Sequence, residues 1–280
     1  MLADVALAVL VGLVAPQPSP WAQATTPSAG AAQSMGTYNR GCIGGARALA
    51  LSGPGWRVMK PERVRYFGHP VLLDVVHTLA GFVKSKRLGA LRVGDLGQPR
   101  GGPAPSGHAS HQTGLDVDIG YALTPPSEGE YWRSMVEGPR GRVTPDFGPA
   151  QLKLVRQAAL DERVDRIFVN PVIKRTLCAR AAKPEAERAW LRKVRPWWGH
   201  DEHMHVRLRC PSGSPECDDQ AALPEGDGCD RLGWWFAKRK RQPEPPPKPD
   251  PAPEPKPKPA RPLPPPECDA VLAAAPQSGP

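Results

Sequence analysis

From residue 70 onward the chain switches between two hydrophobic rhythms. Leu72, Val75, Val76, Leu79, Phe82 and Val83 recur three or four residues apart, which predicts an amphipathic helix that starts at Pro70 and includes His77. Leu152, Val155, Ala159 and Leu160 predict a second helix, and Pro171 stands where a third would begin. Between these stripes, residues 90–93, 115–119, 166–169 and 203–208 are short, β-compatible and mostly alternate with period two. The pattern predicts an α+β fold, a single domain with a central, mainly antiparallel sheet flanked by helices.

Alternation also sorts side chains by face. In residues 115–119, Leu115, Val117 and Ile119 share one face while Asp116 and Asp118 share the other. In residues 203–209, Met204, Val206 and Leu208 turn to the core, leaving His203, His205 and Arg207 on the opposite face. If these two strands are neighbours, carboxylates and imidazoles converge above one face of the sheet.

Five of the seven histidines fall in two clusters, His108/His111 and His200/His203/His205, whereas His69 and His77 stand apart and are given no role. A catalytic zinc site needs three protein ligands from this donor class and an open position. A histidine, an aspartate seven residues later and a downstream HxxHxH run together predict a zinc site on that sheet face.

The ends of the chain set its compartment. Residues 5–15 form an apolar stretch of signal-peptide length, and Trp21-Ala22-Gln23-Ala24 supplies a small-x-small cleavage motif, so residues 1–24 are expected to be removed after Ala24. The usual basic start is missing, since Leu2, Ala3 and Asp4 follow Met1. No later apolar run approaches the roughly 20 residues that span a bilayer, which predicts no stable membrane insertion after signal cleavage. Residues 25–35 are expected to be a flexible lead-in and 36–242 the folded domain. Residues 243–267 should be a proline-rich extended segment, and 268–280 a tail anchored by Cys268.

Six cysteines with no CxxC pair favour disulfides over a zinc–thiolate site; of 15 possible pairings, Cys210 with Cys217 is the natural local one. The formal charge of +9 sits partly in Lys238, Arg239, Lys240, Arg241 and the Lys-Pro repeats. In an exported chain it suits an anionic wall polymer, and no nucleic acid is expected as a partner.

Five segments carry a family resemblance: RYFGHP at 65–70, GHASHQTGLDVDI at 107–119, RIFVNP at 166–171, WLRKVRPW at 190–197 and HMHVRLRCP at 203–211. With them the chain resembles the penicillin-insensitive murein endopeptidases, relatives of the lysostaphin-type peptidases, D-Ala-D-Ala metallopeptidases and hedgehog-like domains. The resemblance implies one zinc per chain on His111, Asp118 and His205, with His108, His200 and His203 lining the same site. It also implies disulfides Cys42–Cys268, Cys178–Cys229 and Cys210–Cys217.

The implied activity is periplasmic hydrolysis of D-alanyl to meso-diaminopimelyl cross-links between peptidoglycan stem peptides, and of diaminopimelyl to diaminopimelyl links as well. In the mechanism so implied, zinc activates a water and stabilises the oxyanion. His203 is the first choice of base because it shares the face of His205, His200 is the second, and Glu202, which alternation turns away, is the third. The rival readings are a non-catalytic zinc-containing wall-binding protein and a D,D-carboxypeptidase or dipeptidase of the same superfamily. The sequence sets no oligomeric state.

Overall fold

The computed structural model describes residues 19–105, 109–123, 132–138, 141–181, 185–237 and 263–277. Its strands are β1 (Gln33–Thr37), β2 (Arg40–Gly44), β3 (Arg47–Ala48), β4 (Ser52–Gly53), β5 (Trp56–Val58), β6 (Phe67–Gly68), β7 (Leu91–Val93), β8 (Asp116–Gly120), β9 (Val136–Glu137), β10 (Arg142–Val143), β11 (Val164–Val169), β12 (Val194–Pro196) and β13 (His203–Leu208). The α-helices are α1 (Pro20–Gln23), α2 (Pro70–Ser85), α3 (Pro149–Leu160), α4 (Pro171–Arg180), α5 (Gly233–Phe236) and α6 (Glu267–Ala273). None of the described helices is long and apolar enough to cross a membrane.

Each of the three longest helices begins at a proline, whose missing N–H costs nothing in the first turn. Two have side-chain caps: His69 Nδ1 accepts from the Val71 N–H at 3.2 Å, and Asn170 Oδ1 accepts from the Val172 N–H at 2.9 Å. His69 is therefore the N-cap of α2, and His77 packs its ring against Trp56 at 4.9 Å.

Seven strands form one sheet in the order β12-β11-β13-β8-β7-β5-β4. The β12–β11 and β7–β5 pairs are parallel and the remaining pairs antiparallel, so the sheet is mixed and mainly antiparallel. The two central strands, β8 and β13, are the ones that carry the acidic and histidine runs. They are hydrogen-bonded neighbours with Val206 opposite Val117 and Met204 opposite Ile119.

These apolar residues pack in one cluster with Leu72, Val75, Val76, Leu79 and Val83 of α2 and with Leu154, Val155 and Ala158 of α3. Burying one such side chain contributes about 1.5–3 kcal/mol. A one-residue slip of β13 would turn Met204, Val206 and Leu208 out together and drive His205 and Arg207 into the core, so burial locks the register.

Three disulfides join Cys42 to Cys268, Cys178 to Cys229 and Cys210 to Cys217, the pairing that the family resemblance implied. Each restricts the unfolded chain, by about 2–4 kcal/mol in a typical case. Cys42–Cys268 ties α6 beneath β2, and Arg100 reinforces the join by donating through Nη1 to the carbonyls of Val271, Leu272 and Ala274.

Of the segment expected to be signal peptide, residues 19–24 are described, and Trp21 is buried against Cys42, Cys268 and Val271. Within residues 25–35, Ser28 is buried and accepts from the Gly45 N–H, the Ala29 N–H donates to Ala275, and β1 begins at Gln33. The lead-in is packed because the C-terminal tail returns beside it. The proline-rich run falls mostly outside the described residues; at its end, the Leu263 carbonyl accepts from Arg40 Nε.

Candidate metal centre

The register that buries the apolar residues of β8 and β13 sets their polar residues face to face. His205 stands opposite Asp118, Arg207 opposite Asp116 and His203 opposite Gly120. Directly opposed side chains on an antiparallel pair are close enough to interact. His205 Nδ1 lies 3.0 Å from Asp118 Oδ1, and its Nε2 lies 2.6 Å from Asp116 Oδ1. Asp116, fully buried, also accepts from Arg207 Nε at 2.7 Å.

His111 arrives from the loop before β8 with a φ of 69°, in the left-handed region that few non-glycine residues occupy. Gln112 holds that loop: its Oε1 accepts from the Gly41 N–H at 3.2 Å, and its Nε2 donates to the Asn39 and Ala109 carbonyls at 2.9 Å each. His111 Nδ1 lies 2.7 Å from the Leu96 carbonyl, an acceptor only, so Nδ1 carries the proton and Nε2 offers its lone pair toward Asp118 Oδ2 at 3.5 Å. One ligand atom from each of His111, Asp118 and His205 lies within 4.8 Å of the others, and all three residues are buried.

The electrostatics of this cluster suit a cation. Burial alone would raise the Asp118 carboxyl, but His111, His203 and His205 hold it well below the usual range. Arg207 and His205 likewise overcome burial to hold Asp116 below its ordinary value. Burial lowers His111 more than Asp118 raises it. His205 goes the other way: burial opposes its charge, yet hydrogen bonds and charge from Asp116 and Asp118 lift it to about 9. A proton on His205 thus balances two buried carboxylates, and a metal ion beside His111 and Asp118 would supply positive charge in its place. Two imidazoles and a carboxylate, with Leu96 and Asp116 orienting the imidazoles from behind, form a donor set that fits a divalent metal.

Two further histidines border the cluster. His203 Nε2 is 3.7 Å from Asp118 Oδ1, and its ring lies 5.4 Å from that of His200. His200 also has a positive φ, 52°, and its loop is held by Asn170, whose N–H donates to the His200 carbonyl and whose Nδ2 donates to Gly199. Its Nδ1 lies 3.1 Å from the Trp198 carbonyl, and burial together with His205 and His203 pushes its pKa down to about 4.

Glu202 contributes its carbonyl, which accepts from the Tyr121 N–H. His108, the remaining histidine expected at the site, lies outside the described residues. Trp197 and Trp198 are 56% and 40% exposed, so neither fills the core; Trp197 meets Phe168, whose ring in turn lies 5.6 Å from His205.

Alternation placed Asp116 and Arg207 on the metal face without giving either a role. Their signal was present in the sequence as a second acid two residues from Asp118 and a second polar residue two from His205. The Leu96 carbonyl left no such signal, because a backbone acceptor reads the same in every residue type.

A family model described as penicillin-insensitive murein endopeptidase matches residues 34–273. The chain is 46% identical over 246 residues to a protein of that name from Klebsiella pneumoniae subsp. pneumoniae, covering 84% of this chain and 87% of the relative. It is 44% identical over 246 residues to one from Yersinia enterocolitica, with 82% and 87% covered, and 46% identical over 230 residues to one from Pectobacterium atrosepticum, with 79% and 81% covered.

Proposed function

This chain belongs to the penicillin-insensitive murein endopeptidase family, and from that premise we propose that it is an exported, periplasmic zinc peptidase that hydrolyses peptide cross-links in peptidoglycan. The bond it cuts is D-alanyl to meso-diaminopimelyl, with the diaminopimelyl to diaminopimelyl link as a further substrate. The observation that carries this reading is the buried convergence of His111, Asp118 and His205, with His200 and His203 at its border.

His111 through Nε2, the Asp118 carboxylate and one nitrogen of His205 would hold the ion, with Leu96 and Asp116 fixing the imidazoles. When bound, zinc supplies Lewis-acid polarisation of the scissile amide and makes a water acidic enough to ionise near neutral pH. His203 shares a strand face with His205, and its Nε2 points toward Asp118. There it takes the proton from the attacking water and delivers it to the leaving amine. His200, packed between Phe168 and His203, walls the site and is the second candidate for proton transfer. No serine is acylated in this scheme, which accounts for insensitivity to penicillin.

Sacculi digested by the purified protein with and without a chelator, followed by identification of the muropeptides, test the reading. One zinc per chain by elemental analysis and chelator-sensitive conversion of cross-linked dimers to monomers are the expected results. A zinc-loaded protein that binds sacculi without cutting them would instead be a wall-binding protein. Release of D-alanine alone would make it a carboxypeptidase.

Asp116→Asn tests the support behind His205. Asparagine keeps the shape but loses the charge that holds His205 and Arg207, and outer partners of this kind are typically worth 10–100-fold in metal affinity. Zinc affinity, measured by competition with a chromophoric chelator, should fall within about that range. Unchanged affinity would leave Asp116 as a partner of Arg207 alone.

A further inference from the structure

We propose that Trp132 is a positioning residue for His203, seated on two glycines that leave room for its ring; the proposal rests on the function assigned to His203 above. Gly94 follows β7 and Gly120 ends β8. A Cβ built on Gly120 would lie 2.7 Å from Trp132 Cζ3, and one on Gly94 would lie 2.9 Å from Cη2 and Cζ2. Real Cβ atoms do not approach that closely. Neither glycine has a positive φ, so the backbone does not require glycine at these places; the indole makes the closest approach, with Asp118 Cβ 3.0 Å from the Gly94 position and Arg92 Cβ 3.1 Å from the Gly120 position as further neighbours.

Gly120 is the residue directly opposite His203 across the β8–β13 pair. Where another residue would set a side chain beside His203, the Trp132 ring lies instead, with centroids 5.4 Å apart and planes inclined by 49°. His203 Nδ1 is buried and has no hydrogen-bond partner among the described residues. Beyond the approach of Nε2 to Asp118 Oδ1 at 3.7 Å, packing orients this imidazole, with Trp132 and His200 as its ring neighbours among the described residues, each at 5.4 Å. The segment after Trp132 is tied to the turn that leads into His203: Ser134 Oγ donates to Asp201 Oδ2 at 2.6 Å and the Met135 N–H to the Asp201 carbonyl at 2.8 Å. Trp132 and His203 are held to the same short turn.

A mutant cycle on the zinc-loaded full chain tests this, with turnover of a purified cross-linked muropeptide dimer as one readout and the ring signals of isotope-labelled histidine as another. Trp132→Ala should retain zinc and KM while kcat falls about 10- to 100-fold, the scale set by misplacing a reacting group by about 1 Å. Trp132→Phe should recover most of that loss.

Gly120→Ala, which displaces the indole, should lower kcat about tenfold in the otherwise unchanged chain but cost little in the Trp132→Ala background, since coupled sites are not additive. The His203 ring signal should move in both single variants. Additive losses, a rise in KM alone, or an unmoved His203 signal would each overturn the proposal. Should Trp132→Ala fail to fold, the Trp132→Phe and Gly120→Ala pair decides by the same criteria. A wild-type chain that leaves the dimer uncut refutes the functional reading instead, while the ring signal still reports whether Trp132 orients His203.

Discussion

His205→Ala is expected to yield a disulfide-bonded protein that retains no zinc and cuts no cross-links. The imidazole touches both buried carboxylates, Asp118 at 3.0 Å and Asp116 at 2.6 Å, so its loss removes a metal donor and the link to the charge behind it. Two remaining donors cannot enforce the three-ligand geometry that a catalytic zinc needs, and metal affinity follows the number of preformed ligands. Some stability should go as well, because Asp116 and Asp118 each lose a partner; Arg207 continues to hold Asp116. Elemental analysis and turnover of a cross-linked dimer, read on the same preparation, decide the matter. Full zinc occupancy with intact turnover would take His205 out of the ligand set.

His203→Ala should separate proton transfer from metal binding. The His203 ring borders the cluster, 3.7 Å from Asp118, outside the ligand group formed by His111, Asp118 and His205. Zinc content should therefore stay near that of the wild type, while turnover falls by about 100-fold or more, the usual size of a general-base contribution. Glu202→Ala, made beside it, should cost little, since the hydrogen bond that places Glu202 runs from the Tyr121 N–H to its backbone carbonyl. A crippled Glu202 variant next to a nearly normal His203 variant would reverse the two roles.

Much of this architecture was already visible in periodicity. The stripe from Leu72 to Val83 became α2, and the alternation in residues 115–119 and 203–208 became β8 and β13, with Asp116, Asp118, His205 and Arg207 on the face away from the helices. Such patterns are local: three or four residues between apolar positions specify a helix face, and two specify a strand face, whatever lies elsewhere in the chain. The metal-binding residue types could be read for the same reason, since few other roles gather two histidine clusters and an acidic strand.

What periodicity left open were relations between residues far apart in the chain. Alternation put two acids and two histidines on one face, but the pairing of β8 with β13 decided that His205 stands opposite Asp118 and Arg207 opposite Asp116. The Leu96 carbonyl decided which nitrogen of His111 carries the proton, and two glycines in separate parts of the sheet decided where Trp132 rests. The join of Cys42 to Cys268 likewise depends on where the C-terminal tail returns, and that of Cys178 to Cys229 on where the stretch after β13 meets α4. A contact across 87 residues, such as that between Asp118 and His205, depends on a register set by the whole buried face, and no short stretch of sequence contains that register.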